Sequence, residues 1–214
     1  MKNNIGNAGK SSRLAFTEHP YSRIAGIDEV GRGPLAGPVV ACAIVIPDAA
    51  ACKYLKDSKL LSPAARLKAY DYLQEHALSY GIGIVDEHTI DTINIRNATM
   101  RAMEQALSML HHEVELVLID GNMKIHTTLP QETIVGGDRL HLSISSASII
   151  AKVYRDIIME RYAEQYPEYG FDKHKGYGTR KHVQALLKYG PCPIHRRSFL
   201  NNIFSGQQKF GFND

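Results

Sequence analysis

Apolar residues along the chain fall into short, β-branched runs that alternate with stretches of helical spacing. Two strands are predicted first, RIAGIDE at 23–29 and PVVACAIVI at 38–46, on either side of the glycine- and proline-rich segment GRGPLAGP. A third strand is predicted at 80–86 (YGIGIVD) and a fourth at 115–120 (ELVLID). A short strand, TIV, is predicted at 133–135.

Helices are predicted between and after these strands. Ser62 as N-cap and Pro63 at the first helical position predict the start of an amphipathic helix. Helical spacing or end signals then predict helices at 94–112, at about 143–166 and at 180–189. The order strand, strand, helix, strand, helix, strand and then helices predicts an α/β sandwich with a mixed sheet.

Length and composition add the domain organisation. The chain has 214 residues, of which 44% are hydrophobic and 22% charged, enough for one domain with a core. We expect a flexible N-terminus at 1–20, one domain at 21–200 and a tail at 201–214. No apolar run approaches the roughly 18 to 20 residues of a membrane helix, and no signal peptide is present, so a soluble cytoplasmic protein is expected. The three cysteines, Cys42, Cys52 and Cys192, are odd in number and lack CxxC spacing, so we interpret them as reduced.

The net charge of +3 hides an asymmetry. Residues 173–214 hold eight Lys/Arg and one acid, a net +7, whereas the other 172 residues hold 17 basic and 21 acidic side chains, a net −4. Glycine and aromatic residues accompany the cations in HKGYGTRKH at 174–182, and HRRSF follows at 195–199. This pattern favours a basic helical appendage at 173–200 that binds a polyanion, with a solvated basic surface as the alternative.

Four acids stand where strands or turns end. Asp28 and Glu29 run into Gly-Arg-Gly, Asp120 precedes a glycine, and Asp138 lies in GGDRL before the long helix. Adjacent strand side chains point to opposite faces, so Asp28 and Glu29 can share a site only if the strand ends there and the glycines bend the chain. Carboxylates without a Cys/His set favour Mg²⁺ or Mn²⁺, and two such ions about 3.5 to 4 Å apart serve phosphodiester chemistry. Helix caps and turns are the alternative for each acid.

A family resemblance covers most of the chain. The segments GIDEVGRGPLAGPVV, DSKLLS, LIDGN, SISSASIIAKVYRD, HKGYGT and GPCPIHRRSF occur in this order between Arg23 and Phe199, and together they resemble bacterial ribonuclease HII. The resemblance implies a ribonuclease H-like fold with a mixed five-stranded sheet flanked by helices. It also implies Mg²⁺- or Mn²⁺-dependent cleavage of the RNA strand of RNA/DNA hybrids, and cleavage 5′ of ribonucleotides embedded in duplex DNA.

The resemblance assigns roles to individual acids. Asp28, Glu29 and Asp120 match the family's metal-binding acids, and Asp138 matches its fourth active-site acid. Two departures occur: Gly137 replaces the lysine that often precedes the fourth acid, with an arginine at 139, and SISSAS replaces an alanine-rich run. Neither departure removes a carboxylate.

Substrate contacts are implied in the same way. Gly31, Arg32 and Gly33 resemble the loop whose backbone reads 2′-hydroxyls, and Tyr177 resembles the tyrosine that packs on the deoxyribose after the ribonucleotide. The basic residues expected to contact phosphates are Lys175, Arg180 and Arg196. Only a supporting role is expected for Ser58, Lys59 and Lys152.

Other functions remain open at this point. A DNA nuclease or resolvase of related fold would use the same acids, but it would have no need of the Tyr177 segment. A catalytically silent hybrid-binding module is disfavoured by four intact acids, and a glycoside hydrolase by adjacent carboxylates. The tail QQKFGF at 207–212 has a faint likeness to a sliding-clamp-binding peptide, although we favour a frayed terminus.

Overall fold

A computed structural model of the chain describes residues 20–47, 50 and 61–207, with side chains as far as 204. The predictions for the N-terminal 19 residues, for Cys52 and for Ser58 and Lys59 lie outside these residues. The side chains of the tail segment at 207–212 also lie outside them.

Five strands form one mixed sheet. They are β1 (Ile24–Val30), β2 (Val39–Val45), β3 (Ser79–Val85), β4 (Leu116–Asp120) and β5 (Gln131–Ile134). Their order across the sheet is β3-β2-β1-β4-β5. β2 is antiparallel to both β1 and β3, whereas β4 is parallel to both β1 and β5. The predicted mixed five-stranded sheet is therefore confirmed.

Six α-helices accompany the sheet in the described part of the chain. They are α1 (Pro63–His76), α2 (Glu87–Ser108), α3 (Leu142–Gln165), α4 (Phe171–His174), α5 (Arg180–Tyr189) and α6 (Arg197–Gln207). The side chain of Ser62 accepts a hydrogen bond from the Ala65 amide, so its predicted N-cap role is confirmed. No helix in residues 20–47 or 61–207 is long and apolar enough to span a membrane.

The prediction for α2 was wrong at both ends. The helical segment begins at Glu87, where Asp86 accepts a hydrogen bond from the Thr89 amide at 2.7 Å. Asn94 then interrupts the helix with a φ of 67°, and its side chain caps the second part through the Asn97 amide at 3.1 Å. The apolar spacing detected only this second part, because the interruption shifts the register between the two.

Helix α6 was not predicted, because its N-terminal cap comes from far along the chain. The Asp91 carboxylate accepts hydrogen bonds from the amides of Arg197 and Ser198 at 2.7 and 3.0 Å. Capping by a distant acid leaves no signal in the neighbouring sequence. Besides the predicted α5, the predicted basic appendage at 173–200 therefore includes the end of α4 and the start of α6.

Helices cover both faces of the sheet. Ala41 and Ala43 of β2 belong to the core on the α2 side, whereas Cys42 and Ile44 belong to the core shared with α1 and α3. All seven residues of β2 are buried, which explains its continuous apolar run. Helix α3 lies very close to β1, because a Cβ at Gly26 would lie 2.2 Å from the Ser143 carbonyl carbon.

Candidate active site

Two parallel strands bring their acids to one edge of the sheet. Ile27 of β1 pairs with Ile119 of β4, and the next residues along the strands are Asp28 and Asp120. On its other side, β1 continues to pair with β2 as far as Val30. The prediction that the strand ends at Glu29 was therefore wrong. Beyond Ile27, β1 no longer pairs with β4 but still pairs with β2. The carboxylates of Asp28 and Glu29 therefore both reach the edge of the sheet where the β4 pairing stops.

Three of the four predicted acids line one cavity of about 360 Å³. Its wall contains three predicted acids, the predicted glycine loop, the predicted tyrosine and a group of polar or basic side chains: Asp28, Glu29, Asp120, Val30, Gly31, Arg32, Gly33, Tyr177, Arg66, Ser148 and Lys152. The structure therefore brings most of the sequence-predicted site together. Several carboxylates and several basic side chains line this cavity. This combination suits a phosphodiester accompanied by divalent metal ions.

Burial and mutual repulsion perturb the acids. Asp28 is only 5% exposed, and burial raises its pKa well above the ordinary value, with Glu29 and Asp120 acting in the same direction. A hydrogen bond from Ser148 opposes this rise. Burial also raises the pKa of Glu29, while the Arg32 guanidinium at 3.2 Å opposes it. Clustered, desolvated carboxylates of this kind are stabilised by a bound cation.

The donor set fits a hard divalent cation. Every candidate ligand is a carboxylate oxygen, and Glu29 Oε2 is buried with no hydrogen-bond partner among the described residues. Asp28 Oδ1 accepts from the Glu29 amide, and Asp120 Oδ1 accepts from the Gly137 amide, each at 2.7 Å. With these contacts in place, no three His, Cys, Asp or Glu side chains within the described ranges converge closely enough to hold an ion.

Asp138 is not part of the cavity wall. It is fully buried on a 3₁₀ turn, Gly137–Arg139, that immediately precedes α3. Gly137 joins this turn to Asp120 through its amide, and a Cβ at Gly137 would lie 2.6 Å from Ile144 Cδ1. The departure from the family pattern at this position therefore fits the packing. The role of Asp138 as fourth acid stays a prediction.

Arg196 is not a surface cation, which corrects its expected contact with substrate phosphates. Its side chain is fully buried and donates to four carbonyls of the 31–38 loop, those of Gly31, Arg32, Pro34 and Gly37. Arg155 of α3, also fully buried, donates to the carbonyls of Ala36, Pro38 and Lys175. Burial lowers the pKa of Arg196 to about 9 and that of Arg155 to about 10. The two guanidinium groups hold the loop from behind.

This arrangement accounts for Gly31 and orients the loop. Gly31 has a φ of 93°, and a Cβ there would lie 2.2 Å from Arg155 Nε. Because the loop carbonyls face the arginines, its amides are left for other partners. The amides of Arg32 and Gly33 donate to no acceptor among the described residues. The Leu35 amide, in contrast, donates to Gly176.

The other basic candidates differ in accessibility. Lys175 pairs with Glu160 at 2.7 Å, and its side chain is 15% exposed, whereas Arg180 is exposed at the first position of α5. Tyr177 is 43% exposed, and its ring edge lies 3.8 Å from where a Cβ of Gly33 would be. The ring and the glycine loop are therefore neighbours.

Comparison with known proteins decides the family. The family model for ribonuclease HII matches residues 25–202. The chain belongs to the ribonuclease HII family. Among its relatives, the ribonuclease HII of Endomicrobium trichonymphae is 52% identical over 202 residues, 91% of this chain and 96% of that protein. The ribonuclease HII of Ruminiclostridium cellulolyticum is 50% identical over 89% of this chain and 74% of that protein.

Solved structures agree on the fold. Ribonuclease H2 from Pyrococcus horikoshii superposes with a TM-score of 0.73 at 26% identity, over 89% of this chain and all of that chain. The ribonuclease HII of Archaeoglobus fulgidus, solved in a complex with PCNA, has a TM-score of 0.70 at 23% identity, over 82% and 94% of the two chains. The fold is ribonuclease H-like, and the chain is an endonuclease that hydrolyses the RNA strand of RNA/DNA hybrids.

Sequence reasoning missed three residues of this ribonuclease HII site. Ser148 contacts Asp28, Arg66 stands in the cavity wall near Lys152, and Arg155 supports the loop. Asp156 holds Lys152 at 2.6 Å and Arg66 at 3.9 Å. Spacing offered a partial signal, because Ser148, Lys152 and Asp156 recur every four residues on α3 and therefore share one helix face.

Proposed function

We propose that this ribonuclease HII, besides cutting RNA/DNA hybrids, cleaves duplex DNA on the 5′ side of a single embedded ribonucleotide. Water attacks the phosphorus, and the bond from phosphorus to the 3′ oxygen of the preceding nucleotide breaks. The products carry 3′-hydroxyl and 5′-phosphate ends. The preceding sugar is a deoxyribose, which has no 2′-hydroxyl, so an external nucleophile is required.

One observation carries the proposal. The carboxylate cluster, the glycine loop and Tyr177 line the same cavity. Reaction and sugar recognition can therefore involve adjacent nucleotides. A nuclease that made no distinction between ribose and deoxyribose would have no use for a rigid loop with available amides next to an aromatic ring.

Asp28, Glu29 and Asp120 would hold two Mg²⁺ or Mn²⁺ ions, and Asp138 would support them from the adjoining turn. When bound, such ions activate the water and neutralise charge on the leaving oxygen. Bst-RNase HIII, which has the same fold, was solved in complex with Mn²⁺, at a TM-score of 0.66 and 17% identity. The raised pKa values of Asp28 and Glu29 suit this role, since a cation would compensate the cost of burying their charges.

The glycine loop and Tyr177 would provide the specificity. The amides of Arg32 and Gly33 are the loop groups that can donate to a 2′-hydroxyl. The Tyr177 ring would pack on the deoxyribose that follows, where a second 2′-hydroxyl would crowd it. Arg180 would contact a phosphate from α5, whereas Lys175 is already paired with Glu160.

Labelled duplexes with zero, one or many ribonucleotides test this function, with and without Mg²⁺ or Mn²⁺. We expect no cutting of all-DNA duplex and a single 5′ cut at one ribonucleotide. Tyr177→Ala should reduce cleavage of the single-ribonucleotide duplex more than cleavage of the long hybrid, where many registers are equivalent. Tyr177→Phe should cost less, because most of the contact is ring packing. Equal losses on both substrates, or cuts 3′ of the ribonucleotide leaving cyclic phosphate ends, would contradict the proposal.

A contact between the tail and a sliding clamp stays a further proposal, as does a cytoplasmic location. The Archaeoglobus fulgidus relative was solved with PCNA, which supports testing the QQKFGF segment. Deleting residues 207–214 should abolish binding to a purified clamp while leaving hydrolysis unchanged. Clamp binding that survives the deletion would exclude the tail.

A further inference from the structure

Two buried histidines connect the backbone of Tyr177 to the loop that carries Cys192. His182 of α5 and His195 are 0% and 1% exposed, and their Nε2 atoms lie 3.0 Å apart. Nδ1 of His182 lies 2.9 Å from the Tyr177 carbonyl oxygen. Nδ1 of His195 lies 3.0 Å from the Cys192 amide nitrogen. The three contacts form one continuous chain.

The direction of each hydrogen bond follows from the two ends. The Cys192 amide can only donate, so Nδ1 of His195 accepts and the proton of that ring is on Nε2. This proton is donated to Nε2 of His182, so the proton of the second ring is on Nδ1 and is donated to the Tyr177 carbonyl. The two imidazoles are therefore neutral and in opposite tautomers.

The Cys192 carbonyl oxygen also lies 3.3 Å from His195 Nδ1, but it already accepts from the His195 amide at 3.1 Å and needs no proton on that nitrogen. The remaining contacts agree with this assignment. The Cys192 thiol lies 3.1 Å from His195 Nδ1, and burial raises its pKa to about 11, so the thiol keeps its proton beside that nitrogen. Burial lowers the pKa of each of His182 and His195 to about 4. The nearby Arg197 and His174 also lower the pKa of His195, and His174 also lowers the pKa of His182.

We infer that His195 and His182 are positioning residues that hold Tyr177 against the glycine loop through this hydrogen-bond relay. The inference rests on the proposed role of the Tyr177 ring in substrate recognition. The Tyr177 carbonyl also accepts from the Thr179 amide at 2.8 Å, and the Tyr177 amide donates to His174 at 2.9 Å. Among the described residues, His182 of α5 makes the only side-chain hydrogen bond to the Tyr177 backbone.

The contacts of the His182 ring explain why an aliphatic residue at this position would not hold the Tyr177 carbonyl. His182 stacks on His174 with centroids 4.4 Å apart, and Phe171 contacts His182 edge-on at 5.4 Å. These contacts orient the imidazole plane, which aims Nδ1 at the carbonyl. A side chain of similar size without a donor would fill the space but leave this carbonyl with one partner fewer.

Nitrogen NMR of the full chain with ¹⁵N-labelled histidine at pH 7 tests the relay directly. We expect His195 to be protonated at Nε2 and His182 at Nδ1, with both rings neutral. The same tautomer on both rings, or a cationic form of either, would overturn the inference. This readout does not depend on substrate or on the role of Tyr177.

Kinetics test whether the relay acts through Tyr177. His182→Leu removes the donor, whereas His182→Asn keeps an amide donor near the position of Nδ1. We expect His182→Leu to lower kcat/KM for the single-ribonucleotide duplex by about tenfold, and His182→Asn by less than about threefold, as for loss and retention of one hydrogen bond. The long hybrid should change less than the single-ribonucleotide duplex in both variants. His126→Asn, at an exposed histidine paired with Glu104, is the matched control.

A double mutant separates the two hypotheses. If His182 acts through Tyr177, adding His182→Leu to Tyr177→Ala should produce no further loss of selectivity. If Tyr177→Ala shows the selective defect but His182→Leu and His182→Asn have equal effects, the relay is overturned and the proposed function stands. A Tyr177→Ala variant with no selective defect would instead overturn the proposed function and the positioning role, while the NMR result would still decide the bond directions.

Discussion

Arg196 should determine stability and loop geometry without contributing to the salt dependence of substrate binding. The informative changes are Arg196→Met, which removes all its donors, and Arg196→Lys, which keeps the charge but offers at most three donors. Arg180→Gln is the matched comparison, because Arg180 is exposed on the same basic segment.

The expected magnitude follows from the contacts. The Arg196 guanidinium makes five hydrogen bonds to four loop carbonyls, at 2.6 to 3.0 Å. Hydrogen bonds to a charged group contribute about 1.5–3 kcal/mol each, but removing the arginine also removes the cost of burying its charge, several kcal/mol. We therefore expect Arg196→Met to lower the free energy of unfolding by about 2–4 kcal/mol, or roughly 4–16 °C in Tm for a chain of this size.

Two measurements on each variant provide the test. Thermal or urea unfolding reports stability, and the logarithm of the hybrid binding constant against the logarithm of salt concentration reports the number of phosphate contacts. Arg180→Gln should reduce the salt slope by about one and leave Tm unchanged. Arg196→Lys should lower Tm by an intermediate amount and leave the slope unchanged.

The opposite pattern would refute this reasoning. If Arg196→Lys or Arg196→Met kept the wild-type Tm, the loop carbonyls would not depend on the guanidinium. If Arg196→Met reduced the salt slope by about one, Arg196 would contact phosphate in the complex. Arg196→Lys keeps the test available should Arg196→Met fail to fold.

Three further predictions concern the acids. Asp28→Asn or Asp120→Asn should abolish cleavage while hybrid binding and the circular dichroism spectrum are retained, and full activity in either would exclude the metal-site assignment. The pKa of Asp28 is raised in the folded state, so the wild type should lose stability relative to Asp28→Asn as pH rises above about 4, the ordinary Asp pKa. Unfolding of both proteins without metal between pH 4 and 8 checks this sign. Mg²⁺ or Mn²⁺ should raise the Tm of the wild type more than that of Asp28→Asn, and activity that persists in excess chelator would contradict metal dependence.

Local patterns in the sequence determined the elements and most of the site. The apolar run of β2, the Ser62 cap and the spacing of α5 are properties of adjacent residues, so each could be predicted from its own segment. The motif at Asp28 and Glu29 and the acid that ends β4 were predicted in the same way. Asp120 ends β4, and Asp28 and Glu29 lie where β1 no longer pairs with β4, so the parallel pairing of the two strands brings the acids together.

The tertiary structure alone decided which charges are buried and which are exposed. Arg196 and Arg180 cannot be distinguished by residue type. Arg196 is buried because carbonyls about 160 residues away in the sequence accept hydrogen bonds from its guanidinium. The cap of α6 by Asp91 and the pairing of His182 with His195 have the same origin. Hydrogen bonds between distant segments leave no periodicity in the sequence, because they depend on which surfaces meet after the sheet and α3 have packed.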